Sequence, residues 1–537
     1  MTQSRTQATS RRRAKFAVSA VALLATIALF AAACGSDDDS TSDATTTQAP
    51  ATAPDAEQAT TTTTAAPPDD DLGLGLGETT TTVVDSGATP TTTMMDPCEA
   101  ETPEATEIGV SEDKITVLVM ADIGSPLAPG LFQGSIDGAN AWAEQVNENG
   151  GLACREIEVV EHDSQINPVE TTNGFLKACE EALALVGSTA LFAFNVADLN
   201  SCPDRDGNEI GIADIPERVV EAVHACSPNA FAVTNAECPF EGSGPRTYTN
   251  VLGAHRWLLE QAGGPGTLHG VFLIPSDLPS AINASMPAIR AHMEFGVGND
   301  GEFGVSGGAT QAEYGQFLER MREADSNYAY TGSNDQSMLK WKREAVAQGM
   351  DLDSITWICS LACYTSDFIE DEISNGTYLW MQFLPFEEAS SNEELATFME
   401  YIDKETPAAW SAGAWAAGKL FEQAINNVVS RDGINGITRQ SLLDELRATE
   451  NYDVNGWYSP FNFATKINSN CYVLLQVQNQ EFVRVAPEEP GTFNCGDENY
   501  WTNTVDSGDE FNKKADGYLE ERQGIYDKGV ENEPISY

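Results

Sequence analysis

A serine flanked by glycines, GVSGG at Gly304–Gly308, has the G-x-S-x-G spacing that sets a nucleophilic hydroxyl on a tight strand-to-helix turn. That chemistry needs an acid and then a histidine later in the chain, so that an imidazole can take the serine proton. The five histidines are His162, His224, His255, His269 and His292, and all precede Ser306. The order excludes a hydrolase of that kind. It leaves a glycine-rich loop before the helical pattern TQAEYGQFLERM. Cys359 and Cys363 form C-x3-C, but a zinc site asks for a second pair or nearby histidines. With no nucleophile beside a base, no enzyme is expected, and neither metal nor cofactor.

The chain has 11 cysteines, an odd number, and Cys34 lies far from the others. Ahead of it stand Arg11, Arg12, Arg13 and Lys15, then an apolar run from Phe16, then Ala31, Ala32 and Ala33. A charged head, an apolar stretch and small residues make a secretory signal. The position of Cys34 resembles the lipobox of bacterial lipoproteins, which implies cleavage before the cysteine and a diacylglycerol on its sulfur. Two acyl chains hold a protein to a membrane stably. Export suits disulfides, so the ten other cysteines are expected to close as five bridges. Sequence does not fix the pairing. Cys154 with Cys179, Cys359 with Cys363 and Cys471 with Cys495 are favoured. Cys98, Cys202, Cys226 and Cys238 then pair among themselves and pin the end of a tether.

That tether, residues 34–107, holds threonine runs at Thr60–Thr64, Thr79–Thr82 and Thr91–Thr93. Its large apolar residues are too few to offset ordering entropy, so a disordered spacer is expected. Residues 1–33 carry five basic groups and no acid, so their removal takes the formal charge from −53 to −58. Such a surface repels nucleic acid and anionic lipid.

From Lys114 the pattern changes. KITVLVMADI and REIEVVEHD read as strands, and helical periodicity lies between them, stopped by NENGG. Strand and helix go on alternating through ALALVGS, HGVFLIPSD, YAYTGSN and SITWICS. This predicts an α/β fold of parallel sheets flanked by helices. The length exceeds what one core holds, so two lobes are expected.

Three stretches carry a family resemblance: QVNENGGLACREIEVVEHDSQINPVETT, AWSAGAWAAGKLFEQAINN, and the segment from LLDELRATENYDVNGWYSPF to the last strands. Together the chain resembles the type I periplasmic binding proteins, in the leucine/isoleucine/valine-binding branch of ABC-importer proteins. The resemblance implies two discontinuous lobes joined by a three-strand hinge. Lobe 1 is expected over 108–250 and 386–455, and lobe 2 over 251–385 and 456–490. An acidic C-terminal extension would span 491–537. A small molecule is expected in the cleft, delivered to an ABC permease, with the protein held outside the membrane by lipid on Cys34. An extracellular sensor acting through a separate membrane partner is the alternative.

Ligands of open α/β sheets bind beyond the carboxyl ends of the strands. The candidate ligand-binding residues are therefore Ser188, Thr189 and Asp214 in the first lobe, and Ser276, Asp277, Ser333, Asn334 and Ser360 in the second. Trp410 aligns with a cleft aromatic of the family. Each also reads as a turn residue, a helix cap or, for Trp410, core packing. The family's amino-acid binders hold carboxylate on a serine-rich loop and ammonium on an acid. Here the loop reads GSTALFAFN and the acid position falls near Leu361. Branched-chain amino acids are thus expected to bind weakly, and an amide, a peptide fragment or another small polar metabolite fits better.

Overall fold

Ile115, Val117, Leu118, Val119 and Met120 are all at most 1% exposed. A strand buried on both faces is what a parallel sheet covered by helices requires. This is β1 (Lys114–Ala121). It pairs in parallel with β2 (Glu156–Asp163) and β3 (Ala184–Val186), and β3 pairs with β4 (Ala213–Ile215), in the order β2-β1-β3-β4. The computed structural model describes Cys98 and residues 101–125, 129–234, 238, 246–276, 289, 291–402 and 407–505. Cys34, the tether up to residue 97, Asp277 and the chain beyond 505 lie outside the described residues.

The second sheet has the order β12-β11-β10-β9-β8-β6-β7. In the chain these are β6 (His269–Pro275), β7 (Gly298–Val305), β8 (Tyr328–Thr331), β9 (Thr356–Cys359), β10 (Thr377–Met381), β11 (Cys471–Gln478) and β12 (Glu481–Ala486). Strands β6 to β10 run parallel, whereas β11 and β12 pair antiparallel. β5 (Arg246–Val251) pairs outside both sheets. Its partner is β14 (Tyr500–Val505), and β13 (Asn494–Cys495) pairs with β11. Residues 494–505 of the segment expected as an extension therefore run back into the fold.

The longer helices are α1 (Gln133–Glu148), α2 (Pro168–Glu181), α3 (Gly253–Ala262), α4 (Gly315–Ala324), α5 (Asp335–Ala347), α6 (Glu393–Tyr401), α7 (Ala409–Asp432) and α8 (Arg439–Ala448). α2 starts where Asn167 accepts a bond from the Val169 N–H and Pro168 takes the first helical position. Asn334 caps α5 in the same way, accepting from the Ser337 N–H. α7 crosses α1 closely because Gly134 and Gly138 of α1 leave room for its first turn: a Cβ on Gly138 would lie 2.2 Å from the Ser411 carbonyl oxygen.

Ten cysteines form five disulfides: Cys98–Cys154, Cys179–Cys202, Cys226–Cys238, Cys359–Cys363 and Cys471–Cys495. The expected Cys154–Cys179 bridge is absent. Cys179 faces inward from α2 and packs with Leu199 and Cys202 of the next connection. Cys154 instead lies on the tight turn before edge strand β2, where the chain from Cys98 reaches it. Buried Arg155 reinforces that contact, donating to the carbonyls of Ser111, Ile434 and Glu104 at 2.7, 3.0 and 2.9 Å. The end of the tether is thus pinned to the first lobe, as expected, but through a different partner.

Lys342 is fully buried on α5. Its ammonium donates to the Asn375 carbonyl at 2.7 Å and the Thr377 hydroxyl at 2.9 Å. Burial pushes its pKa down from 10.5 to about 7, opposed by Asp353. Between those two values the unfolded chain holds more protons than the folded one, so stability rises with pH by about 1.4 kcal/mol per unit for this group. Relative to Lys342→Met, the natural chain is therefore expected to gain about 2 kcal/mol from pH 7 to pH 9, read from urea midpoints. A constant difference between the two proteins contradicts this.

Candidate functional site

The order β2-β1-β3-β4 reverses direction between β1 and β3, and the second sheet reverses between β6 and β8. Crevices open at such reversals, beyond the carboxyl ends of the strands. In the first lobe the loop after β1 is organised by Asp122, which is fully buried. Its carboxylate accepts from the Ser164 hydroxyl at 2.7 Å and from the N–H groups of Ile166 and Leu191 at 2.6 and 2.8 Å. One side chain thereby fixes the loops after β1, β2 and β3 together.

Ser188 and Thr189 follow β3 and are nearly completely buried. Ser188 accepts the Met120 N–H at 3.0 Å. The Thr189 hydroxyl lies 2.8 Å from that of Ser135 and donates to Glu217 Oε2 at 3.3 Å. Asp214 does not join this group. It belongs to β4 itself, not to the loop after it, and its carboxylate is bonded to His224 Nε2 at 2.6 Å. The loop begins two residues later, at Pro216, and delivers Glu217 and Arg218.

Glu217 and Arg218 were not among the sequence candidates, although only Pro216 separates them from the strand motif GIADI. Glu217 is 1% exposed, and its other oxygen accepts from Thr234 Oγ1 at 3.0 Å. Burial pushes its pKa up, opposed by Arg218 and the two threonine hydroxyls. It fits only because α7 carries a glycine opposite, since a Cβ on Gly413 would lie 2.1 Å from its Cγ. Arg218 Nε is 3.7 Å from Glu217 Oε2, an ion-pair distance rather than a hydrogen bond. Its guanidinium lies 4.9 Å from the ring centroid of Trp410, which meets Phe132 edge-on at 5.2 Å. Trp410 is therefore brought to the site, on the first turn of α7.

In the second lobe Ser333, Asn334 and Ser360 come together where β8 and β9 end. The Ser360 hydroxyl donates to the Ser333 carbonyl at 2.9 Å, and the Ser333 and Ser337 hydroxyls are 2.9 Å apart. The Cys359–Cys363 bridge closes the loop that carries Ser360. Ser276 follows β6, and its N–H donates to the Val305 carbonyl at 3.0 Å. Much of the hydroxyl capacity of these residues serves the protein's own loops.

Two segments that pass between the sheets run side by side. Phe383 and Tyr458 form an antiparallel bridge with rings stacked at 5.1 Å. Leu384 N–H donates to the Trp457 carbonyl, and Ser459 N–H to the Gln382 carbonyl. A turn with three consecutive left-handed residues, Val454, Asn455 and Gly456, precedes them. That conformation is costly for a β-branched valine, which argues that the surroundings impose it. Tyr458 is 3% exposed, and burial pushes its pKa well above the usual phenol range, with Glu217 and Arg218 both acting on it. Sequence reasoning missed it because it lies far along the chain from the loops it joins.

Among the described residues no group of three or more His, Cys, Asp or Glu side chains is placed to hold a metal ion. No helix among them is long and apolar enough to cross a membrane. A shallow depression lined by Asn140, Glu144, Asn147 and Val159 lies on the outer edge of the first sheet, away from the crevice.

A parallel sheet and a mostly parallel one, with polar loops at their crevices and joined by paired crossing segments, define a two-lobed ligand-binding fold. Residues 114–481 match the family described as periplasmic binding protein, and the chain belongs to that family. Among solved structures it is similar to a fatty acid ABC transporter substrate-binding protein from Thermomonospora curvata, at 15% identity, TM-score 0.54, covering 72% of this chain and 97% of that one. A leucine-binding protein from Thermotoga maritima shares 14% identity at TM-score 0.54, covering 71% and 99%. A solute-binding protein from R. palustris, in complex with benzoate, shares 16% at TM-score 0.53, covering 71% and 98%. No curated protein matches the sequence.

Proposed function

We propose that the mature chain is an extracytoplasmic solute-binding protein, anchored by lipid on Cys34 to the outer face of the cell membrane. It captures a small polar molecule, amino-acid-like or amide-like, between its lobes and delivers it to an ABC permease. The lobes are residues 108–250 with 386–455 and 251–385 with 456–490; the division of strands between the two sheets supports this. One observation carries the reading: polar loops gather at the carboxyl ends of the strands of both sheets, and paired crossing segments at Phe383 and Tyr458 run between those sheets. Hinge closure around a ligand is the known behaviour of this family.

A thermal-shift screen of amino acids, amides, polyamines, short peptides and carboxylic acids tests capture. At least one compound is expected to raise the midpoint by several degrees at millimolar concentration, because ligand binding to the native state alone stabilises it. A uniformly flat screen contradicts the reading.

A further inference from the structure

We infer that residues 494–505 form a strap on the hinge, which turns the chain's first passage between the sheets into a two-stranded ribbon and narrows the swing of the lobes. This rests on the two-lobed capture reading above and concerns the motion that serves it. Ahead of β5, the Phe231 N–H donates to the Asp214 carbonyl of β4 at 2.8 Å. Beyond β5, Ala254 and Leu258 of α3 pack with Phe272, Tyr472 and Leu474 of the second sheet. β5 is therefore the stretch by which the chain first leaves one sheet for the other.

β14 pairs with β5 over its whole six-residue length, in antiparallel register from Tyr500 opposite Val251 to Val505 opposite Arg246. A hinge works because a few crossing residues absorb changes in φ and ψ. A lone extended segment does that freely. A segment held in a ladder does not, since turning its backbone breaks the bonds to its partner. β14 joins neither of the two large sheets, so its pairing stiffens the crossing alone.

A two-stranded ribbon is marginal in water by itself, so it needs an anchor. Asn499 supplies one and is fully buried. Its carbonyl accepts the Leu252 N–H at 2.9 Å, where β5 ends, and its side-chain amide donates to the Asn470 carbonyl at 2.9 Å, where β11 begins. Its side-chain oxygen accepts from Arg256 Nη2 at 3.2 Å. The fit is close, because a Cβ on Gly253 would lie 2.4 Å from that oxygen. The Cys471–Cys495 bridge fastens the segment ahead of Asn499, and the Tyr500 hydroxyl, which donates to the Asn468 carbonyl, fastens it just after. The strap is thus fixed where the chain enters the second lobe for the first time and again where it enters for the last, and from there it lies along the first crossing.

Pulsed electron spin resonance between labels at Glu156 on β2 and Glu323 on α4, both exposed, reads the swing in the full chain without any solute. The labels enter as a non-natural amino acid, because ten cysteines are bridged. The natural chain is expected to give one narrow distance distribution. The comparison is the double variant Thr502→Pro with Asn503→Pro. One of any two neighbouring N–H groups of a strand faces its partner, so the pair of prolines breaks the ladder while Asn499 and Cys495 stay in place. Its distribution is expected to be about twice as wide. Hydrogen exchange on the natural chain needs no variant: the β5 amides that face β14 are expected to exchange at least about 100-fold more slowly than in the unfolded chain. Exchange there at the unfolded rate overturns the inference, as does an unwidened distribution in a variant that keeps its thermal midpoint. Neither measurement uses a solute, so the strap can fail while capture stands.

Discussion

Replacing Arg439 with methionine is expected to destabilise the fold by about 3 kcal/mol or more. Arg439 is fully buried at the start of α8. Its guanidinium donates to the carbonyls of Cys179 and Ala182 at 2.8 and 2.7 Å, and to that of Pro203. These are the last turn of α2 and the connection that follows Cys202. One cation thus satisfies carbonyls that helix termination leaves without intrahelical partners. Methionine keeps most of the stem's packing but strands those acceptors away from water, each at about 1–3 kcal/mol. Urea midpoints measure the change, and a loss under about 1 kcal/mol contradicts the role given to Arg439.

Gly138→Ala is expected to cost about 2–3 kcal/mol, and also to weaken ligand binding from a position remote from the crevice. The added Cβ would lie 2.2 Å from the Ser411 carbonyl oxygen and 2.7 Å from its Cα. Both are backbone atoms, so no rotamer change relieves the clash, and α1 and α7 must separate. The first turn of α7 carries Trp410 against Arg218, and Gly413 against Glu217. Moving that turn disturbs the ion pair and the stacked guanidinium together. A variant as stable as the natural chain, with unchanged affinity for the best compound of the thermal-shift screen, refutes this coupling.

The fold was legible where burial is continuous. β1 shows as an apolar run followed by turn residues, and α2 shows as Asn-Pro followed by a helical stripe, whereas β2 is a half-exposed edge strand rich in charged residues. Length called for two lobes, and family likeness supplied their expected discontinuous bounds. The site was legible only in part. Ser188, Thr189, Ser333, Asn334, Ser360 and Trp410 fall on loops or helix starts at the strand ends, because strand ends can be estimated from hydrophobic patterning. Asp214 was misplaced by two residues, since β4 is only three residues long and its end leaves little pattern. Phe383 and Tyr458 meet because the chain leaves the first lobe, builds most of the second, and crosses between them again. Local sequence carries no trace of such a meeting. Cys154 was mispaired for a related reason: its partner, Cys98, approaches from a segment whose composition reads as tether.

The central claim is that solute is captured between two lobes that close on a hinge. Small-angle scattering of the full chain tests it, with and without saturating amounts of the compound that gives the largest thermal shift. The radius of gyration is expected to fall on binding, because the crossing segments at Phe383 and Tyr458 let the lobes swing together around the ligand. An unchanged radius under proven saturation contradicts it.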